Sequence, residues 1–376
     1  MAQLSAMPPE LALHIASFIP GKGLDALTRT SKANRRTYGC RLFSRVRFEG
    51  SEVELSKILL KFCRVSLSFI DIHASVRHAT IIVRRSRPCP QAGSSWRDSL
   101  DYHNEDINAR ESLPIRIASV IAVMSGVRSL VLDIEKMRIA SLLHLPVVLE
   151  PQIRKWGVDR LRIASSGSFF SVFVLKACKH RPLRALHIQR GFARDVCDLA
   201  KYHVGLKRLQ ISASDISQYF RPFPSMKSST LDMISKFKHL EWLVINEDTR
   251  SQHLSGVDAG RSFETLVRRF ILSVQKFPDL KYFAFTVWRD GIGKDLLNDG
   301  DLDGPEPTPA SITKWVAALA VRMGEALPEL EQLCILLAYP EVVRCTRTQR
   351  GAPMRVKWER WDQTNPPRGF PFELSE

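Results

Sequence analysis

One short pattern returns along most of the chain: an apolar residue, two variable positions, a second apolar residue, one variable position and a third. It reads Val127/Leu130/Leu132, Val158/Leu161/Ile163, Leu183/Leu186/Ile188 and Leu206/Leu209/Ile211. It continues as Leu240/Leu243/Ile245, Leu280/Phe283/Phe285 and Leu330/Leu333/Ile335, and a looser copy, Val76/Ala79/Ile81, precedes them. The last two apolar residues of each copy stand two apart, the spacing of one face of a β-strand, and the first leads the chain into that strand. Helical periodicity fills residues 115–126, 169–180, 193–204, 230–237, 263–277 and 312–327 between the copies. Strand and helix in alternation predict an α/β array of parallel strands. Successive copies begin 31, 25, 23, 34, 40 and 50 residues apart, so the array is irregular and carries insertions.

Outside the copies the pattern is coarser. Residues 52–72 read as one or two helices, with Val53, Leu55, Ile58, Leu59, Phe62 and Val65 as apolar positions. Residues 84–111 are polar and rich in Arg, Ser and Pro, and predict a protruding loop. Residues 355–361 alternate polar and apolar and predict an edge strand whose basic neighbours oppose further pairing. The tail over 363–376, with Pro366, Pro367 and Pro371, predicts irregular structure.

The N-terminal stretch from Met7 to Phe48 has its own organisation. Pro8 and Pro9 suit a helix start, where first-turn amides have no intrahelical partner, and Glu10 complements the positive end of the dipole. Leu11, Ile15 and Phe18 share one face before Pro20 and Gly21 stop the helix. A second helix carries Leu24, Leu27 and Ser31 on a stripe, and a third short turn carries Leu42, Phe43 and Val46. Three short helices in about forty residues cannot bury a self-sufficient core, so their apolar faces call for another protein. Pro8, Glu10, Leu11, Ile15, Ile19-Pro20, Leu24, Leu27, Ser31-Lys32 and Leu42-Phe43 follow, in order, the pattern of the F-box, which this stretch resembles. Gly23 stands where that pattern has an Asp that caps the second helix. The recurring strand pattern resembles irregular leucine-rich repeats.

Charge changes the picture of partners. The 376 residues carry 55 Lys and Arg against 39 Asp and Glu, a net charge of +16, which favours anionic partners: nucleic acid, acidic or phosphorylated protein, or a membrane surface. The most apolar run, Ile117 to Val127, falls far short of the ~20 residues of a membrane helix. Seven cysteines (Cys40, Cys63, Cys89, Cys178, Cys197, Cys334 and Cys345) are scattered without a C-x-x-C, and no signal peptide opens the chain. Reduced thiols and a cytoplasmic or nuclear protein follow as expectations.

Chemistry is sparse. Asp299, Asp301 and Asp303 begin the cadence of a calcium loop, but the twelfth position, which needs a bidentate Glu, holds Ala310. Gly21-Lys22-Gly23 lacks phosphate-loop spacing, and no motif for nucleophilic, acid–base or metal catalysis occurs. A non-enzyme without cofactor or metal is the expectation.

The fold class expected is α/β: a three-helix F-box over 1–50, a helical connector with a mobile loop over 51–114, and an irregular leucine-rich-repeat-like solenoid with a C-terminal cap over 115–376. The resemblance implies a substrate-recognition subunit of a Skp–cullin–F-box ubiquitin ligase. Its adaptor-binding residues are then Pro8, Leu11, Ile15, Phe18, Leu24, Leu27, Leu42 and Phe43, and its partners are the Skp adaptor and, through it, cullin. On each strand, residues between the inward Leu and Ile positions face the other way. Those positions give Arg160, Arg162, His187, Arg208, Trp242 and Tyr282 as candidate contacts for an acidic or phosphorylated protein segment. A basic nucleic-acid-binding or non-ligase scaffold solenoid is the alternative.

Overall fold

Alternation of buried and open side chains decides the architecture, and the recurring pattern marks where it starts. A computed structural model of the chain describes residues 7–64, 70–85, 96–165, 168–180, 183–189, 202–213, 234–247, 263–287, 308–337, 341–360 and 370–371. In all eight copies the three marked residues are buried, none more than 6% exposed.

The backbone divides into two compact units, residues 1–166 and 167–376. In the first, β1 (Arg45–Gly50), β2 (His78–Val83), β3 (Ser129–Asp133) and β4 (Arg160–Ala164) pair parallel and in sequence order. In the second, β5 (Ala185–Gln189), β6 (Arg208–Ala213), β7 (Trp242–Glu247), β8 (Tyr282–Val287) and β9 (Gln332–Leu337) do the same. Strands β10 (Glu341–Thr346) and β11 (Arg355–Arg360) then close the second unit antiparallel. The fold is mixed α/β with mostly parallel strands, as the pattern predicts.

Within each unit one device joins each parallel strand to the next. The carbonyl just before a strand accepts two amides from the equivalent place in the following copy. Ser44 takes those of Arg77 and His78, both at 2.9 Å, and Arg77 those of Arg128 and Ser129 at 2.9 and 3.0 Å. In the second unit Arg184 serves Lys207 and Arg208, Lys207 serves Glu241 and Trp242, and Glu241 serves Lys281 and Tyr282, all within 2.8–3.0 Å. The Arg77 guanidinium also donates to the Gly126 carbonyl at 2.9 Å, and Arg128 repeats this on Gly157 at 3.3 Å.

Helices return the chain between parallel strands. Ahead of β1 lie α1 (Pro9–Phe18), α2 (Gly21–Thr30) and α3 (Lys32–Leu42). Pro8 and Pro20 take the N-cap places of α1 and α2, and the Ser31 hydroxyl caps α3 by accepting the Asn34 amide at 3.0 Å. Gly23 is therefore inside α2 and not at its cap. A Cβ there would stand 2.9 Å from Ile19 Cγ2, so glycine lets the α1–α2 corner close.

After β1 come α4 (Glu52–Arg64) and α5 (Ile70–Ser75), then α6 (Trp96–Val123) and α7 (Ile139–Ile153). A capping box starts α4: Ser51 Oγ accepts the Glu54 amide while Glu54 Oε2 accepts the Ser51 amide at 2.9 Å. Buried Glu52 ties α4 to α7 by accepting the Arg138 amide at 2.6 Å. Helix α6 packs between α4 and α7. The second unit holds α8 (Ser168–Ala177), α9 (Phe263–Val274) and α10 (Pro309–Ala326). Past α10, Arg347 gathers its C-terminal carbonyls, donating to those of Gly324, Leu327, Pro328 and Leu330 and also to Ala352.

The structure differs from the expectation in four places. Val46 lies in β1, not in a closing helical turn, and its strand is a further copy: Val46 and Phe48 register with Ala79 and Ile81. Residues 96–111, expected in a loop, form the first half of α6, whose buried Pro114 marks where the periodicity broke. Helix α7 escaped notice because Pro146 and Pro151 interrupt an almost wholly apolar run. Strand β10 was also unmarked. Residues 355–360 do supply the edge strand, as β11. The helices expected at 193–204 and 230–237 and the acidic insertion at 289–309 lie mostly or wholly outside the described residues.

Gly126 is needed by space. A Cβ there would sit 2.2 Å from the Ala74 carbonyl, whereas at Gly157 its nearest neighbour is 3.5 Å away. Gly126→Ala should cost about 3 kcal/mol or more by forcing backbone apart, and Gly157→Ala less than about 1 kcal/mol, measured by urea denaturation.

Candidate functional site

Helix α1 inverts the usual burial of an amphipathic helix. Its small residues face inward: Ala12 and Ala16, each 1% exposed, pack with Leu24 and Tyr38 in a core against which Met7, Ile19, Leu27 and Leu42 also rest. Alanine lets the three helices approach closely, and the larger side chains point out. Leu11 is 54% exposed, Ile15 38% and Phe18 75%, with the His14 ring edge-on to Phe18 at 5.1 Å. Pro8 is exposed and Phe43 half-buried. Leu24, expected among the contacts to a partner, is instead interior at 5% exposed. Leu27 and Leu42 are largely occupied by the same core.

A second surface lies on the first unit's sheet, on the side opposite the buried Leu and Ile positions. Arg45, His78, Ser129 and Arg160 form one cross-strand row; Arg47, Thr80, Val131 and Arg162 form the next. Glu49 is claimed by two guanidinium groups: Arg47 Nε donates to one oxygen at 2.7 Å and Arg84 Nε to the other at 2.6 Å. These bonds hold the Glu49 carboxyl below the usual range. Desolvation lowers the Arg162 guanidinium from its ordinary value, while the Asp133 charge acts in the opposite sense. The face thus presents Arg160 and Arg162, as expected, and adds Arg45, Arg47 and Arg84. Arg45 and Arg47 lie in β1, whose alternation the adjoining helical spacing hides, and Arg84 stands just past β2.

The second unit's sheet presents a different chemistry on the equivalent side. Its rows are Arg208, Trp242, Tyr282 and Gln332, then His187, Gln210, Val244, Ala284, Cys334 and Arg344. Trp242, Val244, Ala284, Cys334 and Val342 are buried together, with Tyr282, Leu336 and Phe370 packed against them. The Phe370 ring meets Trp242 edge-on at 5.2 Å and Tyr282 at 5.7 Å, and Arg344 Nη1 donates to the Phe370 carbonyl at 2.6 Å. Trp242 is left 6% exposed and His187 also 6%. Neither is the open anchor the sequence predicts. The surface of Trp242 is taken by Phe370, distant in sequence, which no local pattern announces. Tyr282 is partly open; its hydroxyl donates to Glu331 at 2.7 Å, and this bond raises its pKa. Arg208 is half-buried.

Burial pushes the thiols of Cys178, Cys334 and Cys345 up to about 12, so they stay protonated at neutral pH and are poor nucleophiles. Among the described residues, no group of three or more His, Cys, Asp or Glu side chains is placed to hold a metal. No helix among them is long and apolar enough to cross a membrane. The chain matches no family model and no curated protein.

Arg344 is held in turn by Glu359, at 3.0 Å. Burial works to raise the Glu359 carboxyl, but hydrogen bonds and charges from Arg344 and Lys357 outweigh it and hold it below the usual range. A carboxyl lower in the folded than the unfolded chain adds stability above its unfolded pKa and loses it as pH falls through the folded one. Glu359→Gln should lower stability at pH 7 by about 1 kcal/mol, roughly 2–4 °C for a unit of this size. Calorimetry from pH 7 to pH 3 should show the gap to the wild type closing as acid is added.

Proposed function

We propose that the chain is a non-catalytic substrate receptor of a Skp–cullin–F-box ubiquitin ligase, with α1–α3 as an F-box and the strand–helix copies as irregular leucine-rich repeats. The observation that carries this reading is the outward face of α1. A helix that buries alanines and exposes Leu11, Ile15 and Phe18 leaves apolar surface that water disfavours and a partner would cover. Those three are among the eight residues that the F-box resemblance assigns to the adaptor. Capture of substrate by the repeats would raise the effective concentration of its lysines near the conjugating enzyme, so catalysis would be positional.

The reading separates surface from core. Ile15→Asp with Phe18→Asp should weaken adaptor binding by about 100-fold, roughly 3 kcal/mol, and leave the melting temperature unchanged. Leu24→Asp should instead unfold the helical trio, because it buries an unpaired charge. Co-purification with the Skp adaptor and circular dichroism report the two effects. Undiminished adaptor binding by the double variant would sink the assignment.

Substrate, on this reading, meets the arginine face of the first unit, which suits an acidic or phosphorylated segment. Arg160→Glu with Arg162→Glu should reduce capture of a phosphorylated peptide at least tenfold and spare adaptor binding, both read by surface plasmon resonance. The same face favours a second reading, a basic nucleic-acid-binding scaffold. Salt-dependent retention on DNA or RNA without adaptor co-purification would select it.

A further inference from the structure

The apolar floor of the second unit's sheet is an unusual feature for a face turned away from the helices. Trp242, Val244, Ala284 and Cys334 stand on successive strands where solvent-facing residues are the rule, and Val342 joins them from β10. Such a floor needs a cover. The cover comes from the far end of the chain: the Phe370 ring over Trp242 and Tyr282, buried Pro371 beside it, and one hydrogen bond from Arg344 to the Phe370 carbonyl. Arg344 is fixed for that bond by Glu359, which Lys357 also contacts at 3.3 Å.

We infer that this aromatic–arginine cleft is a peptide-binding site, occupied in cis by the Phe370–Pro371 turn, and that it captures partner segments carrying an aromatic residue followed by proline. This rests on the reading that the repeats bind a protein partner, and names the chemistry of one contact. The cleft selects three things at once. Trp242, met edge-on, and Tyr282, met at a tilt, accept a third aromatic ring, the buried position after it holds proline, and the guanidinium demands a backbone carbonyl held at a fixed place. None of these requirements depends on the tail being covalently attached. Among the described residues, half-buried Phe370 meets the Trp242 and Tyr282 rings and accepts one backbone bond from Arg344, contacts a short segment can reproduce. Attached, the tail acts at an effective concentration on the order of millimolar, so it keeps weak binders out and yields to a partner that makes further contacts elsewhere.

The probe is a fluorescein-labelled peptide with the sequence of residues 364–376, followed by anisotropy. Full-length chain carrying Phe370→Ala should remain folded and bind this peptide at least tenfold more tightly than the wild type does. The same peptide with its own phenylalanine at 370 replaced by alanine should not bind. Adding Arg344→Gln to the Phe370→Ala chain should reduce binding at least tenfold. A second measurement does not depend on the variant folding. A protease site placed over residues 361–366 allows the tail to be cut after folding, and the cut tail should exchange for labelled peptide. Equal binding by wild type and Phe370→Ala, no binding by either, or a cut tail that never exchanges would overturn the inference. Adaptor plays no part in these assays, so their failure leaves the F-box reading standing, and failure of that reading leaves peptide binding intact.

Discussion

Within each unit a parallel strand is hung from the one before it by a single carbonyl that accepts two amides, and the rest of the structure follows from that constraint. The carbonyl fixes where a strand begins, and a strand has a side-chain period of two. A slip of one residue would turn every Leu130, Leu161 or Leu209 outward and every arginine inward. Because the anchor sits at strand entry, register is settled before the side chains meet. Lengths beyond the strand exit are then free to vary, as copies 23 to 50 residues apart attest. Extending a closed loop costs only ~0.6 kcal/mol per doubling of its length, so insertions there are cheap compared with a misregistered strand.

The strands of the two units use the same scaffold for opposite chemistry. In the first unit the side-chain rows end in guanidinium groups, and Arg47 of one row shares Glu49 with Arg84. In the second, equivalent positions hold Trp242, Val244 and Ala284, and the face is closed by the chain's own residues. Nothing in the strand geometry distinguishes the two. The difference lies wholly in which residues occupy positions that the backbone treats alike.

That equivalence explains what was legible in the sequence. The spacing of the buried triplets is local and periodic, so Val127/Leu130/Leu132 and its successors declared parallel strands in the right order, and Arg160 and Arg162 declared their face. Leu11, Ile15 and Phe18 likewise share a face by spacing alone. What failed was whatever depended on contacts distant in sequence or on competing local signals. Trp242 looked available because Phe370 lies far away. Leu24 looked like a contact because spacing separates faces without saying which one meets solvent. Arg45 to Gly50 sat so close to the helical motif that its alternation was absorbed into it, and the prolines of α6 and α7 hid helices that packing tolerates.

Stacked strands that contact only their neighbours unravel from their ends, since a terminal strand has half the partners of an internal one. The C-terminal end of this chain meets that weakness with Arg347, whose planar guanidinium binds carbonyls from the close of α10 and from the turn leading to β11. A lysine, with a compact head and no rigid fork, has no geometry for reaching so many acceptors. The last turn of α10 and the β10–β11 ribbon are thereby joined, so they open together. Amide protons of these two elements then exchange as one cooperative block rather than as a fraying gradient.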